Sequence, residues 1–213
     1  KPDEIYNLAA MSHVRISFDV PAFTIQTNAM GVLNLLEIYK NLIPEAKFYQ
    51  ASSSEMFGNS IDEDNFQRLT TPMKPVSPYG CAKLLGYSLV RHYRHAYGLH
   101  ACNGILFNHE SPRRGSNFVT NKVIKTAVQI KKGLVEKLEL GNLDSRDLCE
   151  TVFTKLGLDY KDYVVQNPKY MRPEELKYLK GDSSKSRSIL GWEPEYTFDS
   201  MIDEMISRWM NEI

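Results

Sequence analysis

The sequence predicts an α/β fold built on a doubly wound parallel sheet. Short apolar runs at residues 4–8, 47–51 and 101–107 have the length of buried strands. Longer segments at residues 21–41 and 77–96 separate these runs, and their apolar side chains recur at helical spacing. Strands that alternate with long helices are typical of a parallel sheet with helices packed on its faces.

After Phe107 the alternation of apolar strands and long helices ends. A polar loop at residues 108–115 is followed by a helical pattern at residues 118–132 and a short apolar run near Leu138. Four further helices, separated by glycine and proline, are predicted at residues 147–156, 173–179, 183–190 and 198–210. We expect this part of the chain to form a smaller, mainly helical lobe that binds substrate.

These patterns divide the chain into two expected domains. Residues 1–115 are predicted to form part of a dinucleotide-binding domain of the Rossmann type. Residues 116–213 are predicted to contribute mainly to the substrate-binding lobe. In open sheets of this kind ligands bind beyond the carboxyl ends of the strands, so functional residues are expected directly after the strands.

The composition argues against several classes of protein. Lys and Arg number 26 and Asp and Glu also number 26, so the formal net charge is zero. This balance argues against nucleic acid or an anionic membrane surface as the main partner. No apolar run is long enough to span a bilayer, and the first residues carry no signal-peptide pattern. The cytoplasm is therefore the expected location.

The cysteines predict neither a disulfide framework nor a zinc site. Cys81, Cys102 and Cys149 are odd in number and none forms a closely spaced pair. No metal ion is therefore expected, and reduced thiols fit the cytoplasm.

Tyr79 and Lys83 form a candidate catalytic pair. They stand four positions apart on one predicted helix, so their side chains share a face. A lysine ammonium there would stabilise the phenolate of Tyr79 and make it a general base. A tyrosine and a lysine also meet at this spacing by chance, so the context decides. Pro78 in the first helical turn and the preceding serine-rich strand exit, residues 51–55, complete a pattern typical of short-chain dehydrogenases.

Other polar residues after strands have two interpretations at this point. Ser53 and Glu55 follow the second strand, where they could face the same pocket as Tyr79. Ser53 could equally cap a helix, and Glu55 could be a carboxylate favoured by a helix N-terminus. The loop from His109 to Arg114 could be a solvated turn, or its arginines could bind phosphates in a bidentate manner.

Longer strings resemble one family of enzymes that modify nucleotide sugars. Residues 103–115 (NGILFNHESPRRG), 118–120 (FVT) and 141–144 (GNLD) are similar to the GDP-mannose 4,6-dehydratases. The resemblance runs from Asp3 to residues 190–194 (LGWEP). Epimerases of the wider class usually have a small or apolar residue at the position of Glu55. The acid at this position therefore favours a dehydratase.

The resemblance implies a role for individual residues. The implied catalytic residues are Ser53, which replaces the family's threonine, with Glu55, Tyr79 and Lys83. The implied contacts with NADP are Leu8, Ala9, Ala10, Met11, Ser12, Phe23, Tyr79, Lys83, His109 and Arg114. Phe23 stands where the family usually has a tyrosine. The implied contacts with GDP-mannose are Ser53, Glu55, Asn108, Val119, Lys122, Arg172 and Glu175.

The activity implied by the resemblance is the conversion of GDP-mannose to GDP-4-keto-6-deoxymannose and water in a cytoplasmic homodimer or homotetramer. The alternatives are another nucleotide-sugar dehydratase or epimerase, or a catalytically silent nucleotide-binding module. The resemblance also implies a glycine-rich phosphate loop upstream of Lys1. Between Ser145 and Arg146 it implies a missing stretch that contains arginine and tryptophan.

Overall fold

A computed structural model of the chain describes residues 1–143 and 146–213 and divides it into two compact units. The first unit comprises Lys1–Asn108 and Pro173–Lys185, and the second comprises His109–Arg172 and Ser186–Ile213. Residues distant in sequence therefore belong to one unit. The return of residues 173–185 to the first unit was not anticipated from their sequence.

The first unit is built on a three-stranded parallel sheet. Strands β1 (Glu4–Asn7), β2 (Lys47–Ser53) and β3 (Ala101–Leu106) lie side by side in this order. Glu4 pairs with Lys47, and Phe48 pairs with Ala101. All three predicted strands are confirmed, and their parallel arrangement places their carboxyl ends at the same edge of the sheet.

The helices of the first unit connect these parallel strands. Between β1 and β2 lie α1 (Val14–Asp19), α2 (Pro21–Ile25), a π-helical turn (Gln26–Met30) and α3 (Gly31–Leu42). Between β2 and β3 lie a 3-10 turn (Ser54–Phe57) and α4 (Pro78–Tyr97). The helix predicted at residues 77–96 is confirmed.

The single helix predicted at residues 21–41 is wrong in its middle. A π-helical turn interrupts it, because local i to i+5 hydrogen bonding replaces the α-helical pattern there. The spacing of apolar residues does not reveal one extra residue in a helical turn. The sequence therefore predicted one continuous helix. The helix α1 was also not predicted.

The core of the first unit lies between one face of the sheet and the helices α3 and α4. Leu36 and Tyr39 of α3, Val90 of α4, and Phe48 and Ala101 of the sheet are buried together. The ring of Tyr39 stacks on that of Phe48 with centroids 5.5 Å apart, and its hydroxyl donates to the Ala46 carbonyl at 2.7 Å. Burial of these large side chains fixes α4 against β2, and this contact positions the site.

The second unit contains the predicted helical lobe. Its elements are α5 (Val119–Lys131), β4 (Leu138–Leu140), α6 (Arg146–Lys155), β5 (Val164–Gln166) and α8 (Phe198–Glu212), with 3-10 turns at Tyr160–Asp162 and Pro168–Tyr170. The helix α7 (Ser184–Leu190) begins in the first unit. Ile124, Val128, Leu138, Phe153 and Ile202 are buried in one apolar cluster. The helices predicted at residues 118–132, 147–156, 183–190 and 198–210 are confirmed.

The helix predicted at residues 173–179 is wrong, since the segment contains no helix. Its backbone groups bond to other parts of the first unit instead, as with Lys177 N, which donates to Asn59 Oδ1 at 2.8 Å. The strand β5 was not predicted, because three residues give too short a pattern. Asp144 and Ser145 lie outside the described residues. Two predictions fall on them: the discontinuity between Ser145 and Arg146, and the end of the GNLD string.

The longest helices carry charged side chains among their apolar ones. The 20-residue helix α4 contains Lys83, Arg91 and Arg94, and the 15-residue helix α8 contains Asp203 and Arg208. Within residues 1–143 and 146–213, no helix is long and apolar enough to cross a membrane.

Candidate active site

Ser53 and Glu55 lie at the carboxyl end of β2 in the first unit. The Oγ of Ser53 accepts a hydrogen bond from Glu55 N at 3.2 Å and thereby caps the 3-10 turn Ser54–Phe57. Both residues are buried. The capping role considered from the sequence is therefore observed for Ser53. It leaves the catalytic interpretation open, because a hydroxyl that accepts one hydrogen bond can still donate its own hydrogen.

Tyr79 is held in the first turn of α4. Ser77 caps this helix, since its Oγ accepts from Gly80 N at 3.0 Å, and Pro78 occupies the first turn. Tyr79 N donates to the Oγ of Ser17 at 3.3 Å, and Ser17 is fully buried in α1. The Ser77 cap, the proline at position 78 and the hydrogen bond to Ser17 thus fix the backbone from which the Tyr79 side chain projects. The part played by Ser17 could not be predicted, because it depends on the unforeseen helix α1.

Gly80 allows the start of α4 to contact the turn that carries Glu55. A Cβ atom at position 80 would lie 2.8 Å from the Glu55 carbonyl oxygen and 2.9 Å from the Cβ of Pro75. Both distances are shorter than real Cβ contacts allow. Glycine at this position therefore brings the helix with Tyr79 close to Glu55. The only feature of the sequence that could have indicated this contact is the presence of a glycine in the first turn of a predicted helix.

Lys83 lies beneath Tyr79 on α4 and is buried. Its Nζ donates to the Ala51 carbonyl at 2.9 Å and lies 5.7 Å from the centroid of the Tyr79 ring. Burial lowers the pKa of the Lys83 ammonium from its ordinary value of 10.5 to about 8. Lys83 therefore carries a positive charge at neutral pH and loses it above about pH 8 in the absence of ligands.

The loop after β1 is held by an asparagine that the sequence did not suggest. Asn28 is buried in the π-helical turn, where its Oδ1 accepts from Met11 N at 2.8 Å and its Nδ2 donates to Met11 O at 2.9 Å. Leu8, Ala9 and Ser12 of the same loop are exposed. The loop is thus fixed on one side and open on the other. Phe23, also exposed, lies in α2.

A second group of predicted site residues lies in the second unit. The Arg114 guanidinium lies 3.6 Å from the Phe118 ring centroid, and its Nε lies 3.4 Å from a carboxylate oxygen of Glu110. Asn121 Nδ2 donates to the Arg114 carbonyl. These contacts hold Arg114 in place. Glu110 and Asn121 carried no signal in the sequence.

Lys122 of α5 is supported by an aromatic residue. Its Nζ lies 3.7 Å from the centroid of the Tyr170 ring, and burial lowers the pKa of its ammonium group. A cation above an aromatic face is stabilised electrostatically, so Tyr170 orients this charge. Tyr170 was not among the predicted site residues.

The predicted site residues belong to both units. The first unit contains Leu8, Ala9, Ala10, Met11, Ser12, Phe23, Ser53, Glu55, Tyr79, Lys83, Asn108 and Glu175. The second contains His109, Arg114, Val119, Lys122 and Arg172. Among the residues that the structure describes, no three His, Cys, Asp or Glu side chains are grouped closely enough to hold a metal ion.

The parallel sheet, the serine at the end of β2 and the Tyr79–Lys83 pair at the start of α4 define a protein of the extended short-chain dehydrogenase class. RMD from Pseudomonas aeruginosa, complexed with NADPH, has this fold with a TM-score of 0.85 and 23% identity over 100% of this chain and 81% of that one. The dTDP-glucose 4,6-dehydratase of Streptomyces venezuelae, with NAD bound, has a TM-score of 0.82 and 22% identity over 99% and 73% of the two chains.

Sequence similarity identifies the family within this class. The family model described as GDP-mannose 4,6 dehydratase matches residues 1–150 and 146–205. GDP-mannose 4,6 dehydratase 2 of Arabidopsis thaliana is 42% identical over 248 residues, which cover 98% of this chain and 66% of that protein. The chain therefore belongs to the GDP-mannose 4,6-dehydratase family. It spans about two thirds of the length of the curated relatives it matches.

Proposed function

We propose that the whole protein is a carbon–oxygen lyase that converts GDP-mannose to GDP-4-keto-6-deoxymannose and water. The observation that carries this proposal is the buried acidic residue Glu55 at the end of β2, whose backbone carbonyl packs against the first turn of the helix that carries Tyr79. An epimerase needs no acid there, whereas a dehydratase needs a base for the proton next to the ketone. Membership in the family supports the same reaction.

Tyr79 and Lys83 serve the first step. The Tyr79 phenolate accepts the proton of the sugar 4-hydroxyl as C4 is oxidised to a ketone. The Lys83 ammonium, fixed by the Ala51 carbonyl, stabilises this phenolate. Because both groups are buried, water screens their interaction less than it would at the surface.

Glu55 and Ser53 serve the elimination. The ketone acidifies the hydrogen on C5, and the Glu55 carboxylate removes it as a proton. The Ser53 hydroxyl donates a hydrogen bond to the sugar as negative charge develops and hydroxide leaves C6. The leaving hydroxide takes up a proton and is released as water.

The residues of the first unit fit a nicotinamide cofactor. Asn28 fixes both backbone polar groups of Met11, and the neighbouring residues of the loop are open at the carboxyl end of β1. Ligands of such sheets bind at this edge. A bound nicotinamide would supply a reversible acceptor for the hydride, which would leave C4 in the first step and add to C6 after the elimination. Addition of a proton at C5 would then complete the 4-keto-6-deoxy product. We propose NADP as this cofactor, because NADPH is bound in RMD from Pseudomonas aeruginosa.

The remaining site residues keep the roles that the family resemblance implies. We propose that NADP is contacted by Leu8, Ala9, Ala10, Met11, Ser12, Phe23, Tyr79, Lys83, His109 and Arg114. We propose that GDP-mannose is contacted by Ser53, Glu55, Asn108, Val119, Lys122, Arg172 and Glu175. The contacts of Arg114 with Phe118 and of Lys122 with Tyr170 support these proposals, since both hold a positive charge in a defined position.

Incubation of the whole protein with GDP-mannose is expected to yield a 4-keto-6-deoxy product without net consumption of added cofactor. Mass spectrometry of the product measures the loss of one water. Other nucleotide sugars, incubated in parallel, serve as controls for the substrate. Loss of water from one of these, with none from GDP-mannose, would contradict the proposed substrate.

We also propose that the protein assembles as a homodimer, or as a tetramer built from such dimers, through α3 and α4. Ile38 and Leu42 on one face of α3, and Leu85 on α4, are large apolar side chains that are 51%, 61% and 44% exposed. Burial of such side chains against a second copy is favourable. Leu85→Glu is therefore expected to lower the mass measured by sedimentation velocity. Leu134→Glu, at an exposed leucine outside these helices, is the control. A Leu85→Glu protein that sediments like the wild type would place the interface elsewhere.

A further inference from the structure

Residues 173–185 form an irregular segment of the first unit, which we call the strap. The strap carries Glu175, a proposed contact of the nucleotide sugar. It bonds to residues 59–71, a loop that follows the turn with Glu55. Before α7 begins at Ser184, the strap contains no helix, and it pairs with the rest of the unit by a single β-bridge. Its contacts with residues 59–71 therefore determine its position.

The first fastening lies at Asn59. Its Oδ1 accepts from Lys177 N at 2.8 Å, and its Nδ2 donates to the Glu175 carbonyl at 3.3 Å. One side chain thereby satisfies backbone groups on both sides of residue 176. This fixes the backbone from which the Glu175 side chain projects.

The second fastening is a β-bridge at Gln67. Gln67 N donates to the Lys180 carbonyl at 2.7 Å, and Asp182 N donates to the Gln67 carbonyl at 3.1 Å. Between these two bonds, Gly181 packs on the Phe107 ring so closely that a Cβ atom would lie 2.4 Å from it. Gln67 is buried, and its Nε2 donates to the Ser60 carbonyl at 2.9 Å.

The third fastening is Arg68, which holds three carboxylates. Its guanidinium contacts Asp182 of the strap at 2.7 Å, and Asp62 and Asp64 of the loop at 3.0 and 2.7 Å. Single ion pairs at a surface contribute little to stability. A planar guanidinium that bridges several carboxylates is more specific in geometry, and lysine cannot reproduce it.

We propose that Arg68 is a positioning residue for the nucleotide sugar, acting through the strap. This inference rests on the proposed function. Without Arg68, two loop carboxylates face Asp182 with no cation between them, and repulsion favours detachment of the strap. When only a fraction of the protein is in the binding-competent state, the apparent Kd for the ligand equals the intrinsic Kd divided by that fraction. The chemical groups of Tyr79 and Glu55 lie outside the strap, so kcat is unaffected.

Arg68→Gln in the whole protein is expected to raise the KM for GDP-mannose by about ten-fold, with kcat within about two-fold of the wild type. Asp182→Asn is expected to raise KM in the same direction. In the double variant, the fold-increase in KM is expected to be smaller than the product of the two single fold-increases, because both substitutions break the same ion pair between Arg68 and Asp182. Arg208→Gln breaks an ion pair with Glu212 in α8, where the arginine is similarly exposed, and is the matched control.

Hydrogen exchange gives a readout that does not depend on activity. The Lys177 and Asp182 amides, which bond to Asn59 and Gln67, are expected to exchange faster in Arg68→Gln than in the wild type or in Arg208→Gln. An unchanged KM in both Arg68→Gln and Asp182→Asn would overturn the proposal. So would unchanged exchange of both amides in these variants. A wild type that does not dehydrate GDP-mannose would refute the proposed function, and the exchange experiment would still decide whether Arg68 holds the strap.

Discussion

Glu55→Gln is expected to slow the dehydration of GDP-mannose by ~10²–10⁴-fold, the usual effect of removing a general base. The substitution preserves size and hydrogen-bonding capacity at a buried position, so the fold should persist. In the proposed mechanism, oxidation at C4 depends on Tyr79 and Lys83, so it should survive. Removal of the C5 proton depends on the carboxylate and should fail. In heavy water, the wild type should deliver deuterium to C5, and the variant should deliver little.

Two further variants make this experiment specific. Tyr79→Phe removes the base for the first step, so neither reduced nicotinamide absorbance nor deuterium at C5 is expected on mixing with GDP-mannose. Glu55→Gln should differ from it by showing the absorbance without the deuterium. Glu150→Gln, at an exposed carboxylate in α6, is the control and should behave like the wild type. If Glu55→Gln dehydrates GDP-mannose at nearly the wild-type rate, Glu55 is not the general base. Its carboxylate would then serve only to stabilise the start of a helical turn.

Lys83→Met is expected to lower the rate of dehydration by about 10²-fold or more and, at the same time, to stabilise the fold at pH 7. The rate falls because Tyr79 loses the charge that stabilises its phenolate. The free energy of unfolding rises because the substitution removes a buried charge. Burial disfavours the charged form of Lys83, lowering its pKa from 10.5 to about 8. This shift corresponds to a destabilisation of about 3 kcal/mol while the ammonium is buried. Loss of the hydrogen bond from the ammonium to the Ala51 carbonyl offsets about 1.5–3 kcal/mol of this gain, so the net stabilisation at pH 7 is expected to be small.

The pH dependence of stability tests this account. Below about pH 8, Lys83 is protonated in both the folded and the unfolded chain, and the full destabilisation is present. Between about pH 8 and 10.5 the unfolded chain binds the extra proton, so the stability of the wild type rises with pH relative to that of Lys83→Met.

Urea denaturation at pH 7 and pH 10 measures the difference in unfolding free energy between wild type and variant. We expect the advantage of Lys83→Met to shrink at the higher pH. Lys131→Met, at an exposed lysine of α5, should show no such change. A difference between wild type and Lys83→Met that is equal at both pH values would contradict the buried-charge account.

The sequence by itself determined the fold class and the main elements of this protein. Residues 4–8, 47–51 and 101–107 were predicted as strands because a buried parallel strand needs an apolar run of this length. The helix with Tyr79 was predicted because its spacing and its Ser-Pro start are local properties of the chain. The family was also evident in the sequence, because long strings of residues are shared with the GDP-mannose 4,6-dehydratases.

Only the tertiary structure decided how those elements meet. The contact of Gly80 with Glu55 and that of Asn28 with Met11 join residues about 20 positions or more apart, and no local pattern encodes such pairs. The lowered pKa of Lys83 depends on burial, which spacing alone does not give. A helix was predicted for residues 173–179, the first part of the strap, from their local sequence. The strap adopts an irregular path because its backbone hydrogen bonds are made by Asn59 and Gln67, more than 100 residues earlier in the chain.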